Sequence, residues 1–549
     1  TSLFTNTTSS HSTALGYGAL YTNTGANNTA IGSNSLFANT TGVSNVAVGV
    51  STLDANTTGN YNVGIGNSAL GANTTADLNT AVGFGSLFLN TTGASNTAVG
   101  PYSLYVNTTG NNNVAVGPYC LDANTTGANN VSIGSSALSS NTTASDNTAI
   151  GNGSLEANTT GTYNVAIGRG ALDVNTTGSY NTSVGGNALD ANTTASNQTA
   201  VGFAALSSNT TGVDNCAFGV NALYANTTGY RNQAFGVGAL IANTTGAENN
   251  AVGYYALGAN TTGNYNAAFG HGALAANTTA SNNVAVGYTA LNANTTGTRN
   301  TAVGSLSLDA NTTGSYNTTV GYTTLGSNTT GTENTAFGDA SLNANTTGNR
   351  NTGFGTSTLQ HNTTGDENTA VGYKAGYDLT TGDVNVFVGF KAGENVTTGT
   401  RNVLIGPWAA DTLTTGSDNV CIGENAGAGQ VGTGDGDLYI ARANTAAGSA
   451  TTWIAGNASG TCYQGDNTTS WSTVSDRRLK KNITDNTKGL AEIDQLRVAN
   501  FEYRTEAEID MSEFPLADGP HQVVIGKGNE GVHTGVIAQE IEAVLPECI

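Results

Sequence analysis

The chain has 549 residues, of which 74 are glycine and only 6 proline, and charged side chains make up just 10% of it. A net charge of −21, from 37 acidic against 16 basic residues, disfavours binding nucleic acid through its phosphates, which needs clustered Lys and Arg. Hydrophobic residues reach 38%, too many for a disordered polar tract, yet no stretch approaches the ~18 apolar residues of a membrane helix. Neither nucleic acid nor membrane insertion is therefore expected. The sequence opens at Thr1 partway through a repeat, so the natural N-terminus is expected upstream.

The repeat fills residues 1–371. A Gly recurs every 17 residues, at 32, 49, 66, 83 and onward to 406 and 423, without an insertion or deletion, and Gly16 begins the series one residue closer. The unit reads N-T-A-V-G-x-x-A-L-x-A-N-T-T-G-x-x. An apolar residue always precedes the Gly (Ile31, Val48, Ile65, Val82), and a Leu column follows four residues after it (Leu36, Leu53, Leu70). These two columns predict two short strands per unit facing a narrow core, joined through Asn-Thr-Thr-Gly. The Gly of that segment permits a tight turn, and stacked Asn side chains can form amide ladders between coils. Two Gly and Asn-Thr-Thr in every period break any helix. The fold class is thus all-β, a β-solenoid or β-roll of 17-residue coils. Each coil buries its faces only against its neighbours, which explains the intolerance of insertions. At about 4.8 Å per coil, 24 coils extend about 115 Å.

From 372 to 423 the unit changes: Tyr373-Lys374-Ala375-Gly376 and Phe390-Lys391-Ala392-Gly393 replace the Ala-Leu segment, and Leu or Val replaces the Asn before Thr-Thr-Gly. The period dissolves after Gly423, and 424–474 reads as a transition and β-rich neck that caps the coils. Residues 475–549 are of another kind. Eight of the 16 Lys and Arg residues lie between Arg477 and Lys527. Apolar spacing predicts helices at 489–496 and 537–545, with strands at 498–503 and 522–525. The expectation is a small α+β domain, cut short at Ile549.

The repeat is similar to the head repeats of trimeric autotransporter adhesins, which share an A-[IV]-G pattern in a shorter period; that resemblance implies three left-handed β-rolls side by side, hence a homotrimer. A second resemblance is carried by Ser475-Asp476-Arg477-Arg478-Leu479-Lys480-Lys481-Asn482-Ile483, by Phe501-Glu502-Tyr503, and by Gly535-Val536-Ile537-Ala538-Gln539 leading to Leu545-Pro546. In that order they resemble the endosialidase-type intramolecular chaperone domain. The resemblance implies a trimerising chaperone that assembles viral tail fibres and then cleaves itself off at Ser475 and Asp476. It further implies a dyad of Ser475 as nucleophile and Lys480 as base. The chemistry is coherent, since a Ser hydroxyl attacks only once a base takes its proton and a desolvated Lys with a lowered pKa can do so.

Other residues were weighed against that reading. His533 and Gln539, within and beside the Gly535 segment, are candidates to line the cleavage site. Cys120, Cys216, Cys421, Cys462 and Cys548 form no CxxC pair and stand near no His at metal-ligand spacing, so they read as small hydrophobes. No metal and no cofactor is expected. Asn39, Asn56, Asn73, Asn90 and their successors to Asn362 open Asn-Thr-Thr glycosylation sequons, read either as turn chemistry or as a glycan array. Aromatics after the repeat Gly (Phe203, Tyr254, Tyr288, Tyr322) read first as exposed stabilising side chains, with contact points as the alternative. No carboxylate pair recurs at one place, as glycoside hydrolysis would require. The function expected is the structural shaft of an extracellular viral tail fibre, with a host cell-surface receptor (glycan or protein) and other virion tail proteins as partners. Any catalysis would be self-cleavage. The alternative is a cellular adhesin or glycosylated filament built from the same repeat.

Overall fold

The computed structural model describes residue 3 and residues 10–429, 432–441, 452–464, 498–501 and 533–536. The chain divides into two compact units, Thr1–Ser470 and Trp471–Ile549.

The first unit is a β-solenoid. Twenty-five three-residue strands, from β1 (Thr13–Leu15) and β2 (Thr29–Ile31) to β25 (Val420–Ile422), stack in parallel as one sheet, one strand per coil. The register is fixed by the sequence period. Thr29 faces Val46, Ala30 faces Ala47 and Ile31 faces Val48, and the 17-residue step repeats to the pairing of Val403 with Val420. Only the ends depart from it, with a 16-residue step between β1 and β2 and an 18-residue step from β25 to β26 (Leu438–Ala441). Beyond β26 the sheet turns antiparallel through β27 (Thr452–Gly456) and β28 (Cys462–Gln464). The open end of the parallel stack is thus continued by an antiparallel meander.

Numbering coil positions from the first strand residue, side chains alternate across the strand. Position 2, usually Ala, points inward and is fully buried; positions 1 and 3 point outward. This corrects the expected two-strand coil. The apolar column before the Gly is not core but half-exposed surface, with Ile31 at 38% and Phe354 at 53%. The Leu column at position 8 is buried, yet it lies in a turn and not in a strand. Its 21 leucines, from Leu20 to Leu359, hold φ between +47° and +55°, a region that disfavours bulky side chains. Each of these turns is tied to the next coil, as by Leu36 N–H to Thr52 O at 3.0 Å and Thr57 N–H to Thr74 O at 2.8 Å. The Gly at position 4 has φ between +118° and +145°. A Cβ on Gly83 would lie 2.5 Å from Gly100 O in the next coil, so that column admits no side chain.

The interior is narrow, and two asparagine ladders share it with Ala and Leu. At position 11, Asn56 Nδ2 donates to Asn39 Oδ1 (2.7 Å) and to Gly59 O (3.1 Å), and the pattern recurs coil after coil to Asn362. At position 17, Asn62 N–H donates to Asn45 Oδ1 (2.9 Å) and its Nδ2 to Ala76 O (2.8 Å), a pattern that runs to Asn419. Both columns are buried. Thr57 Oγ1, at position 12, adds a third ladder by donating to Thr74 O at 3.0 Å. The expected amide ladders are present. They satisfy backbone carbonyls and N–H groups that a thin core would otherwise leave buried and unpaired.

The variant coils keep this frame but exchange volumes. Phe387, Leu404 and Cys421 replace Ala at position 2, Gly376 and Gly393 replace Leu at position 8, and Leu379, Val396 and Leu413 replace Asn at position 11, all of the large ones buried. The position-11 ladder therefore ends at Asn362, whose Oδ1 is buried without a partner, because Leu379 has no amide to donate.

In the second unit, β29 (Val498–Phe501) pairs antiparallel with β30 (His533–Val536), Val498 opposite Val536 and Phe501 opposite His533. β29 falls in the strand expected at 498–503. The helices expected at 489–496 and 537–545, and the strand at 522–525, lie outside the described residues.

Candidate functional site

Charged side chains occupy the turns of the coil, not its strands, and most of the aromatic ones do too. Position 16 carries Arg401, which donates to both carboxylate oxygens of Asp418 one coil away (2.7 and 2.8 Å), and Arg350 paired with Glu367 at 2.8 Å. These pairs are exposed, so each adds little stability. Position 5 carries the candidate contact aromatics. Phe203, Tyr254, Tyr288 and Tyr322 are 51–60% exposed. Tyr254 stacks on His271 at 5.1 Å and His271 on Tyr288 at 5.3 Å, so part of this column is a ring ladder that supports its own coils. The grooves between turns are open. One of about 550 Å³ is lined by Tyr105, Tyr119, Asp122 and Ser136, and another of about 200 Å³ by Glu156, Arg169, Asp173 and Asp190. Among the described residues no group of three His, Cys, Asp or Glu could hold a metal ion, and no helix is long and apolar enough to cross a membrane.

The sequons sit on the buried ladder. Asn39, Asn56, Asn73 and Asn90 are fully buried, and each Nδ2, the atom a glycan would occupy, donates to an Asn Oδ1 and to a main-chain carbonyl. This position favours the reading of Asn-Thr-Thr as coil chemistry and speaks against a glycan in the folded coil.

Burial decides the cysteines. Cys120 and Cys421 are buried, and desolvation pushes both thiols up to about 12, while Cys216 is half-buried and Cys462 exposed. A thiol reacts as its thiolate, so native labelling with iodoacetamide is expected to modify Cys462 and to spare Cys120 and Cys421 until unfolding. Peptide mass mapping reads this, and rapid native modification of Cys421 would contradict it.

The position-9 carboxylates give the shaft an unusual pH response. Burial pushes the carboxyls of Asp54, Asp122, Asp173, Asp190 and Asp309 above their ordinary value of 3.8, and Asp173 adds like-charge repulsion at Asp190. Among the described residues the exposed Asp418, hydrogen-bonded to Arg401, is the one shifted carboxyl held low. A carboxyl whose folded pKa is raised binds more protons folded than unfolded. Shaft stability is expected to rise as pH falls through these raised values and to level off below about 3.8. Thermal melts at pH 7 and at about pH 4 measure it, and a midpoint lower in acid than at pH 7 would refute it.

Of the residues expected to do chemistry, Ser475, Asp476, Lys480 and Gln539 lie outside the described residues, and His533 is the first residue of β30, opposite Phe501. Their mutual geometry is not described. Sequence reasoning missed the outward column at position 3, which it assigned to the core. The signal that finds it is the small middle residue of every strand before Phe387: only the inward position of so thin a coil demands one.

Residues 475–549 match the family model described as chaperone of endosialidase. No curated protein matches the chain, and no solved structure does.

Proposed function

We propose that the chain is the structural shaft of an extracellular viral tail fibre, a homotrimer matured by its own C-terminal chaperone. The observation that carries this reading is the chaperone-of-endosialidase match at 475–549, directly downstream of a 25-strand solenoid shaft. The shaft itself supports a mechanical role. It is tied between coils all the way round by main-chain hydrogen bonds, its described grooves are open, and its turns vary freely while its ladders do not. Receptor contact, to a glycan or a protein, falls to the variable turn positions with their exposed aromatics. The buried sequons weigh against the glycosylated-filament alternative.

Self-cleavage is assigned to Ser475 and Lys480. The Lys480 amine takes the hydroxyl proton, Ser475 Oγ attacks a neighbouring main-chain carbonyl, and the peptide nitrogen leaves with the proton. Water then hydrolyses the ester, so that one peptide bond is cut for one water consumed. Expression of the chain in its natural length beside Ser475→Ala and Lys480→Ala tests this. Denaturing mass spectrometry is expected to show a fragment ending near Ser475 in the wild type and an intact chain in both variants. An intact wild-type chain would refute self-cleavage, and a native mass below three shafts would refute the trimer.

A further inference from the structure

The outward face of the solenoid sheet is uncharged along its whole length, and one of its two columns is wholly apolar. Across 25 strands, position 3 is always Val, Ile, Leu or Phe, and position 1 is Thr, Val or another uncharged residue. Yet both positions point out of the coil, and fourteen position-3 side chains are more than one-third exposed, among them Ile65 at 41% and Phe269 at 43%. From Asp54 to Glu424 every charged side chain falls at position 5, 6, 9, 10, 15 or 16, in a chain of net charge −21. An outward column with no polar residue in 25 chances is not what solvent exposure alone selects. Contiguous apolar surface of this extent marks an interaction face.

We infer that this sheet face is where copies of the chain pack against one another, side by side, parallel and in register. The inference rests on the homotrimer reading above and names the surface that builds it. Twenty-four steps of about 4.8 Å and a strand width of about 10 Å give about 1,100 Å² per copy. A pair would bury about 2,200 Å², above the roughly 1,600 Å² of a standard interface. A second copy also fits chemically. Identical coils have an identical rise, so rungs match along the full length, and two chains of high negative charge can approach only where neither presents a carboxylate. The stacked pairs Phe218–Phe235 (5.2 Å) and Phe337–Phe354 (5.0 Å) put flat aromatic surface on this face.

Cys216 occupies position 1 of its strand on the same face, which gives a direct probe. The full chain is prepared with Cys462→Ser and Cys548→Ser and treated with a short bis-maleimide. A second sample adds Val99→Asp, Ile150→Asp and Val303→Asp, and a control places Asp instead at turn positions 112, 163 and 316. The expected result is cross-linking between copies through Cys216 and its loss in the face variant. Sedimentation should show assembly at least tenfold weaker for the face variant and unchanged for the control. An assembled chain that does not cross-link through Cys216 and tolerates the face aspartates would overturn the inference while leaving the trimer standing on residues outside the shaft. A wild-type chain that sediments as a single copy at all concentrations would sink both. If circular dichroism shows the Asp variant unfolded, threonine at the same three positions, a residue the strands already use at position 1, must still weaken assembly tenfold, or the inference fails.

Discussion

Asn164→Ala is expected to remove about 2–4 kcal/mol from the coils around it: a stranded buried N–H costs about 1–3 kcal/mol, and the one further hydrogen bond lost about 1 kcal/mol. Asn164 is fully buried; its Oδ1 accepts from Asn181 N–H at 3.0 Å, its own N–H donates to Asn147 Oδ1 at 3.0 Å, and its Nδ2 donates to Gly178 O at 2.9 Å. Alanine keeps the second bond but strands Asn181 N–H, whereas Gly178 O retains Asn175 Nδ2. Because stacked repeats are stabilised by nearest-neighbour terms, the loss should appear locally, as faster hydrogen exchange in the coils on either side while distant coils stay protected. Asn164→Asp separates the acceptor from the donor. The carboxylate still accepts from Asn181 N–H but sets a charge against Gly178 O, and burial raises its pKa. Its defect should be large at neutral pH and shrink as acid restores a donor. Protection that is unchanged in both variants would mean that the ladder is incidental.

Phe387→Ala is the second large effect, with an expected cost of about 3–5 kcal/mol from lost burial and the cavity left behind. Phe387 is fully buried at position 2, where ordinary coils carry Ala, and its ring occupies the space of the missing leucines. A Cβ on Gly393 would lie 2.7 Å from Phe387 Cδ1, and one on Gly376 would meet the other edge of the ring. Leu404 Cδ1 also lies 2.8 Å from that Gly393 Cβ, so Leu at those two glycines should be destructive alone and restorative together with Phe387→Ala and Leu404→Ala, a combination that rebuilds the Ala–Leu arrangement of the earlier coils. Leu already tolerates φ near +50° throughout those coils, and Gly376 and Gly393 hold +60° and +59°. Chemical denaturation read at Trp408 measures both arms. A combined variant no better than Phe387→Ala would show that the variant coils are not a volume exchange.

Much of the fold was legible because its restraints are local and repeated. The 17-residue spacing of Gly32, Gly49 and their successors dictates coil length and strand register together, since each strand pairs with its own image one period on. Asn at positions 11 and 17 was legible as ladder material for the same reason. Inside and outside were less so. Val48 and Leu53 look alike as apolar columns, yet one sits on the surface and the other in the core. Hydropathy cannot separate them, and strand alternation alone leaves either face free to be the inner one. Nor did the Leu column announce its turn conformation, because a left-handed φ at a γ-branched residue is imposed by the coils above and below and not chosen by the residue.

The period, the one-dimensional stacking, the ladders and the resemblance at 475–549 follow from residue order alone, because each is written in residues separated by fixed short distances. Which apolar column is buried, that the sequon amides are consumed by hydrogen bonds, and that Phe387 takes the space of leucines in neighbouring coils emerge only once the coils are stacked. The physical reason is volume. A coil of 17 residues has room inside for two small side chains, one Leu and two Asn, and whatever does not fit there, however apolar, must face outward.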